Sequence, residues 1–130
     1  MFLEEAFLVI LTEIILNRNN MKVYNRSAIT INYKKPFVDW NNQLTPDFQM
    51  DENILGESKT YLTQENFDDP ITLVEKYYKI IFELELEGIW TDEVDWPQKR
   101  DFKTFNEWFS YEVSDWVVDL DKKPLISDDF

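Results

Sequence analysis

The clearest pattern in the chain runs from Pro70 to Glu87. Apolar residues recur there at steps of three and four and charged residues fill the positions between them, which is the periodicity of an amphipathic helix. Asp69 precedes the segment as an N-cap, Pro70 suits the first helical position, and Gly88 is placed to end the helix. The predicted buried stripe is Leu73, Val74, Tyr77, Tyr78, Ile81 and Leu84.

Three other segments have the pattern of strands. Residues 27–33 alternate strictly between two faces, and β-branched and aromatic side chains dominate the segment. The face predicted to be buried is Ile29, Ile31 and Tyr33. Residues 59–64 and 115–120 are shorter, and each is also rich in β-branched or aromatic residues, so both are predicted to be strands.

Shorter helices are predicted between these elements. Pro36 suits the first turn of a helix that continues to Asn41, and residues 51–55 predict one helical turn that ends at Gly56. The spacing Thr104-x-x-Glu107 is a capping box and predicts a helix over residues 105–113. Its predicted buried stripe is Phe105, Trp108, Phe109 and Val113. Residues 89–103 are predicted to form an ordered loop with aromatic anchors.

These elements predict an α+β fold. A small, mainly three-stranded sheet is covered on one face by two amphipathic helices, with an extra helix at the N-terminus. The predicted organisation is an apolar extension over residues 1–20, a single α+β domain over residues 21–125 and a tail over residues 126–130.

The N-terminal segment allows several readings. Its early charges, Glu4 and Glu5, are of the wrong sign for a signal peptide, and its apolar run is too short to cross a membrane. It is either a helix that packs on the domain or an extension outside the core that precedes a natural start at Met21. A packing helix would use Leu3, Phe7, Ile10, Leu11 and Ile14. An unpacked apolar helix would instead favour a homo-oligomer.

Composition excludes several kinds of chemistry. The chain of 130 residues has no cysteine and no histidine, which removes disulfides, thiolate or imidazole metal sites and the usual general base near neutral pH. Two glycines are too few for a phosphate-binding glycine loop. The net charge of −13 disfavours nucleic acid as a partner. A cytoplasmic protein without a cofactor and without a membrane contact is the expectation.

The acidic charge is concentrated in the second part of the chain, where residues 83–130 hold 14 acids and 5 bases. Within it, two tryptophans bracket a dense acidic segment. The candidate binding residues are Trp90, Thr91, Asp92, Glu93, Asp95 and Trp96. We expect both indoles on the exterior, where the carboxylates steer a basic protein surface and the rings supply affinity. No catalytic residue and no metal ligand is predicted.

Two other interpretations of this segment stay open. Grouped carboxylates can hold a divalent cation or act as an acid and base pair in hydrolysis, so an acidic-cluster metal-binding or hydrolytic domain is the alternative function. The structural interpretation gives Trp90 and Trp96 to core and loop anchoring and gives Asp92 or Glu93 to the capping of a short turn.

The chain also resembles a family of small acidic bacterial proteins of unknown function. The resemblance rests on Pro36-Phe37-Val38-Asp39-Trp40, on Trp90-Thr91-Asp92-Glu93 with Trp96-Pro97, on the segment from Phe105 to Phe109 and on Asp119-Leu120. It covers residues 25–125 and implies a compact α+β domain, but it implies no activity. Relatives often carry a histidine where this chain has Val113.

Overall fold

Helices and strands are mixed along the chain in an α+β architecture, as predicted. The computed structural model describes residues 2–19, 21–51, 53–54 and 57–129. In chain order the elements are α1 (Phe2–Asn19), β1 (Lys22–Tyr24), β2 (Ser27–Tyr33), α2 (Lys35–Leu44), β3 (Ser58–Thr63), α3 (Pro70–Ile89), α4 (Phe102–Trp108), β4 (Phe109–Ser114) and β5 (Val117–Asp119). A 3-10 helix, Glu93–Asp95, lies between α3 and α4. Gly56, predicted to end a helical turn, lies outside the described residues.

Strand β2 is the centre of the main sheet, and β3 and β4 pair with it on either side, both antiparallel. Ile29 of β2 lies opposite Tyr61 and Val113, and Ile31 lies opposite Lys59 and Tyr111, so these residues share the face that the helices cover. A second, two-stranded ribbon is formed by β1 and β5, which also run antiparallel.

The third strand of the main sheet is a segment that the sequence assigned to a helix. Residues 105–113 were predicted to be helical, but α4 ends at Trp108 and the chain continues as β4. The reason is that Phe109, Tyr111 and Val113 alternate with polar residues, so they also satisfy the two-residue period of a strand. The predicted strand 115–120 exists only as the short β5, which pairs with β1 rather than with β2.

Two helix ends also differ from the prediction. Helix α4 is capped by Asp101, whose carboxylate accepts hydrogen bonds from the backbone N–H and the hydroxyl of Thr104. The predicted capping box at Thr104 is therefore wrong, because the helix begins one turn earlier.

Helix α3 begins at Pro70 behind the Asp69 cap as predicted, but it continues through Gly88 to Ile89. A Cβ at Gly88 would meet no atom within 4 Å, so no close contact requires glycine there.

The core is an aromatic layer between the sheet and the helices. Phe37 of α2, Phe82 of α3, and Phe105 and Phe109 near the α4–β4 junction are all fully buried. Phe82 meets the rings of both Phe105 and Phe109 edge-on, with ring centroids 6.0 and 5.3 Å apart. Such tilted and edge-on pairs are the favoured arrangement of aromatic side chains. One buried layer therefore holds α2, α3 and α4 on the same face of the sheet.

None of the described side chains of helix α1, which are those of residues 4–13, belongs to this core. Of the two interpretations left open, packing on the domain is not observed for Phe7 and Ile10, whose side chains are 64% and 57% exposed, while Leu11 is half-buried. Leu3 and Ile14 belonged to the same predicted stripe, and their side chains lie outside the described part of the chain. No helix of the described residues is long and apolar enough to cross a membrane.

We expect Phe82→Ala to lower the free energy of unfolding by about 3–5 kcal/mol, because it opens a cavity at the centre of the aromatic layer. Ile80→Ala on the exposed side of the same helix is the control, and it should change stability by less than about 1 kcal/mol. Urea unfolding followed by tryptophan fluorescence measures both. Equal losses for the two variants would contradict the assignment of the buried face of α3.

Candidate functional site

The segment singled out from the sequence follows directly on α3. Trp90 is the C-cap of that helix, and its backbone N–H donates to the carbonyl of Leu86. Asp92 then caps the 3-10 helix by accepting a hydrogen bond from the backbone N–H of Val94 at 3.2 Å. The structural role foreseen for Asp92 is thus observed. The chain makes a tight turn here, not an open loop.

Three indole N–H groups hold this turn. Trp96 donates to the carbonyl of Trp90 at 2.7 Å, Trp90 donates to the carboxylate of Asp95 at 3.0 Å, and Trp40 of α2 donates to the carbonyl of Asp95 at 2.9 Å. The guanidinium of Arg100 lies 5.6 Å from the centre of the Trp96 ring, within the range of a cation–π contact. The turn is therefore fixed both to itself and to α2.

The two predicted indoles occupy different environments. Trp96 is only 7% exposed and belongs to the core cluster, so the expectation that its ring lies on the exterior is wrong. Trp90 is half-buried and packs against that core. The physical reason is the size of the ring: burying an indole removes roughly 150–250 Å² from water, and both N–H groups find acceptors within the turn.

What remains outside is the polar part of the segment. Thr91, Asp92, Glu93, Val94 and Asp95 are all exposed, and we call these five residues the acidic turn. Val94 is 82% exposed and stands among the three carboxylates. Within the described residues, the ion pairs are Lys35–Asp39 and Lys59–Glu85, and the acidic turn takes part in neither. The negative charge of its carboxylates is therefore not paired with a basic side chain of the described residues.

The acidic turn does not have the geometry of a metal site. Among the described residues, no group of three or more carboxylates converges so that it could hold a metal ion. Asp92 and Asp95 already accept hydrogen bonds from the backbone of Val94 and from the Trp90 indole. The metal-binding alternative therefore has no supporting arrangement at these residues.

A second cluster of polar groups was not recognised in the sequence. Glu85 of α3 is 3% exposed, and its carboxylate accepts hydrogen bonds from the hydroxyls of Tyr33 and Tyr61 and from the ammonium of Lys59. The bond from Tyr33 measures 2.5 Å and that from Lys59 measures 2.7 Å. Lys59 also donates to the Tyr33 hydroxyl at 2.6 Å. A buried charge is tolerable only with such partners.

The tyrosines of this cluster are kept in the neutral form. Burial, and then the hydrogen bond to the Glu85 carboxylate, raise the pKa of Tyr33 and of Tyr61 far above the ordinary value of 10.0. A tyrosine that acts as a base or nucleophile would need the opposite shift. The hydrogen bonds of the cluster join α3 to β2 and β3, and its tyrosines keep their protons at neutral pH.

The helical period of α3 contains a signal that Glu85 is buried. Leu73, Val74 and Ile81 of the predicted stripe are buried, whereas its Leu84 is half-buried. Three further residues that the stripe left out are also buried, namely Phe82, Glu85 and Leu86. Glu85 lies four residues after Ile81 and three after Phe82, on the same stripe as both. An acid on an apolar stripe indicates a buried charge with a partner, although the sequence does not show which strand supplies the donors.

Comparison of the chain with models of known protein families, with curated proteins and with solved structures finds no match in any of the three. The resemblance to small acidic bacterial proteins stays a prediction from the sequence.

We expect Glu85→Gln to lower the free energy of unfolding by about 2 kcal/mol, because three hydrogen bonds to a charged acceptor become bonds to a neutral amide. The same substitution at the exposed Glu87, two residues further along α3, is the matched control and should cost less than about 0.5 kcal/mol. Chemical denaturation at neutral pH measures both, and a cost for Glu85→Gln no larger than the control would show that the buried charge does not stabilise α3.

The tyrosine pKa shifts predict a loss of stability in alkali. The unfolded chain releases these phenolic protons near pH 10 while the folded chain retains them, so the unfolded state binds fewer protons and the free energy of unfolding falls as pH rises above about 10. We expect Tyr33→Phe with Tyr61→Phe to be less stable at neutral pH but to show a shallower fall between about pH 10 and about pH 11. Urea unfolding across this range tests it, and an unchanged slope would contradict the assignment.

Proposed function

We propose that this chain is a non-enzymatic interaction domain that binds a basic protein surface through the acidic turn. The observation that carries the proposal is the exposure of Val94 between Glu93 and Asp95, on a turn held by three indole N–H groups. The proposal extends the prediction from the sequence but moves the contact surface. The indoles of Trp40, Trp90 and Trp96 hold the turn by hydrogen bonds, and the exposed residues of the acidic turn contact the basic partner.

Rigidity supports this role. A binding surface that is already ordered loses less conformational entropy on association, so more of the contact energy appears as affinity. The backbone of the acidic turn is held at both ends, by the cap of Asp92 at its start and by the indole of Trp40 at the carbonyl of Asp95. Because the carboxylates are held in place, their negative charges have one spatial arrangement. That arrangement favours a partner whose basic side chains match it.

The charge of the chain supports the same class of partner. With a net charge of −13, the chain attracts basic surfaces over long range and speeds their encounter with it. Residues 83–130, which include the acidic turn, carry 14 acids against 5 bases. The proposal also includes two predictions from the sequence: the resemblance to small acidic bacterial proteins and a cytoplasmic location.

The test compares two variants, each of which removes two negative charges and one exposed apolar side chain from an exposed site. The first replaces the acidic turn, as Asp92→Asn, Glu93→Gln and Val94→Ser. The second changes the segment before α3, as Glu65→Gln, Asp68→Asn and Phe67→Ser, where Phe67 is 84% exposed. Basic proteins that the wild-type chain retains at low ionic strength are identified by mass spectrometry, and each is then purified for kinetic measurements.

We expect the association rate constant to fall at least about tenfold for the acidic-turn variant and to change less than about threefold for the control. Association of the wild-type chain should also slow steeply as salt is raised, since a Debye length of about 10 Å at 0.1 M screens the attraction. Binding that is insensitive to salt, or that is lost equally in both variants, would reject the acidic turn as the docking surface.

A further inference from the structure

Phe48 is an exposed aromatic residue on the loop that follows α2, and its side chain is 78% exposed. We call residues 45–50 the α2 loop. Single apolar residues are common on protein surfaces, so exposure by itself indicates no function. Phe48 differs because hydrogen bonds fix the backbone of its loop on both sides, while the ring itself stays in water.

The first half of the α2 loop is a hydrogen-bonded turn. The backbone N–H of Phe48 donates to the carbonyl of Thr45 at 3.0 Å, and Pro46 takes the second position of the turn, which its fixed φ favours. The carbonyl of Phe48 accepts from the side-chain amide of Asn41 at 3.0 Å and from the Thr45 hydroxyl at 3.3 Å. Asn41 is only 2% exposed, so a buried amide of α2 holds the residue that carries the exposed ring.

The second half of the α2 loop is fixed at Met50. The Asn42 side chain accepts from the backbone N–H of Met50 at 2.8 Å and donates to its carbonyl at 3.0 Å. Gln49 donates to the carbonyls of Asn42 and Thr45 at 2.9 and 3.0 Å. The half-buried Met50 also packs against the core. The α2 loop therefore presents the ring of Phe48 on a backbone that is already ordered, which lowers the conformational entropy lost on binding.

Phe67 shows that exposure and a fixed backbone are separate properties. Its side chain is 84% exposed, and it lies next to an acid, Asp68, as Phe48 lies next to Asp47. Among the described residues, no hydrogen-bond partner holds the backbone N–H or carbonyl of Phe67. Phe67 therefore matches Phe48 in size, exposure and neighbouring charge, and it differs in how its backbone is held.

The sequence around Phe48 carries only acidic charge. Residues 36–58 hold five acids and no base. Asp47 and Asp51, on either side of Phe48 in the chain, are exposed and form no ion pair with a described residue. A second copy of the chain, with a net charge of −13, would bring like charge to this surface. The complementary partner is a basic protein with an apolar pocket whose rim carries basic side chains.

Two consecutive residues of α2 hold the α2 loop and the acidic turn. Trp40 donates to the carbonyl of Asp95 at 2.9 Å, and the next residue, Asn41, donates to the carbonyl of Phe48 at 3.0 Å. The two carbonyls are therefore separated by one peptide unit, two side chains and two hydrogen bonds. That path is shorter than roughly 30 Å, the width of an interface that buries about 800 Å² on each partner. An interface of ordinary size therefore spans both.

We infer that Phe48 is the apolar anchor of the docking surface and enters an apolar pocket, rimmed by basic side chains, on the same basic protein that contacts the acidic turn. This inference rests on the proposed function and adds a second contact to it. The two contacts act on different rate constants. Long-range charge mainly sets the association rate, whereas the loss of a buried apolar side chain mainly speeds dissociation. Salt screens the first contact and leaves the second largely unchanged.

The test measures association and dissociation rate constants of the full chain with each purified basic protein that the wild-type chain retains at low ionic strength. The variants are Phe48→Ala and the matched control Phe67→Ala, and urea unfolding checks that each is as stable as the wild type. We expect Phe48→Ala to raise the dissociation rate constant at least about tenfold, at low and at high salt, and to change the association rate constant less than about threefold. Phe67→Ala should change both rate constants less than about threefold.

The outcomes separate this inference from the proposed function. Equal dissociation rates for Phe48→Ala and Phe67→Ala, together with slow association of the acidic-turn variant, would overturn the anchor and leave the proposed function standing. Faster dissociation of Phe48→Ala from a protein whose association does not depend on the acidic turn would reject both the proposed function and the shared surface. A chain that retains no basic protein would also overturn both.

Photochemical cross-linking locates the contact directly. Phe48 or Phe67 is replaced by the photoreactive p-benzoylphenylalanine, and the complex of the full chain with the purified basic protein is irradiated. We expect a cross-link from position 48 to an apolar residue of the partner that has lysine or arginine neighbours, and none from position 67. A cross-link from position 48 to another copy of this chain, or equal yields at the two positions, would overturn the inference.

Discussion

A carboxylate enclosed in a protein interior is stable only where donors reach it, and this requirement sets the position of the longest helix. Glu85 of α3 takes hydrogen bonds from Tyr33 on β2 and from Tyr61 and Lys59 on β3. The donors come from two adjacent strands, so both the rotation of α3 and its position along its axis are fixed relative to the sheet. Aromatic packing alone would tolerate a sliding of the helix, whereas a buried charge does not. The position of α3 therefore also sets the position of the acidic turn, which follows it in the chain.

The tryptophans of that segment combine two tasks in one side chain. The ring of Trp96 lies in the core, and its N–H donates to the backbone carbonyl of Trp90, the C-cap of α3. The carbonyl of Asp95 is held in the same way by Trp40, from a helix 55 residues earlier in the chain. The acids between the two rings, Asp92, Glu93 and Asp95, are exposed to water. The same short segment, residues 90–96, therefore supplies both a buried aromatic side chain and an exposed group of carboxylates.

Much of the fold can be predicted from local patterns in the sequence. The features that cannot be predicted depend on contacts between residues that are far apart in the chain. The start of α3, the alternation of β2 and the α+β class are visible because each rests on spacing along the chain. The end of α4 was missed because Phe105 and Phe109 satisfy a helical period while Phe109, Tyr111 and Val113 also satisfy that of a strand. Pairing with β2 decides between them. The burial of Trp96 depends on the core cluster that its ring joins, and the spacing of residues along the chain does not encode that packing.

The ribbon of β1 and β5 also determines how the domain would respond to a stretching force. Because the two strands are antiparallel and lead to the two ends of the chain, tension applied at both ends would open the pair Lys22–Asp119 first and then proceed one pair at a time. Bonds broken in succession resist a load far less than bonds that must break together. The ribbon would yield at low force, while the three-stranded sheet, whose strands lie between those two attachment points, would remain folded until the ribbon had opened.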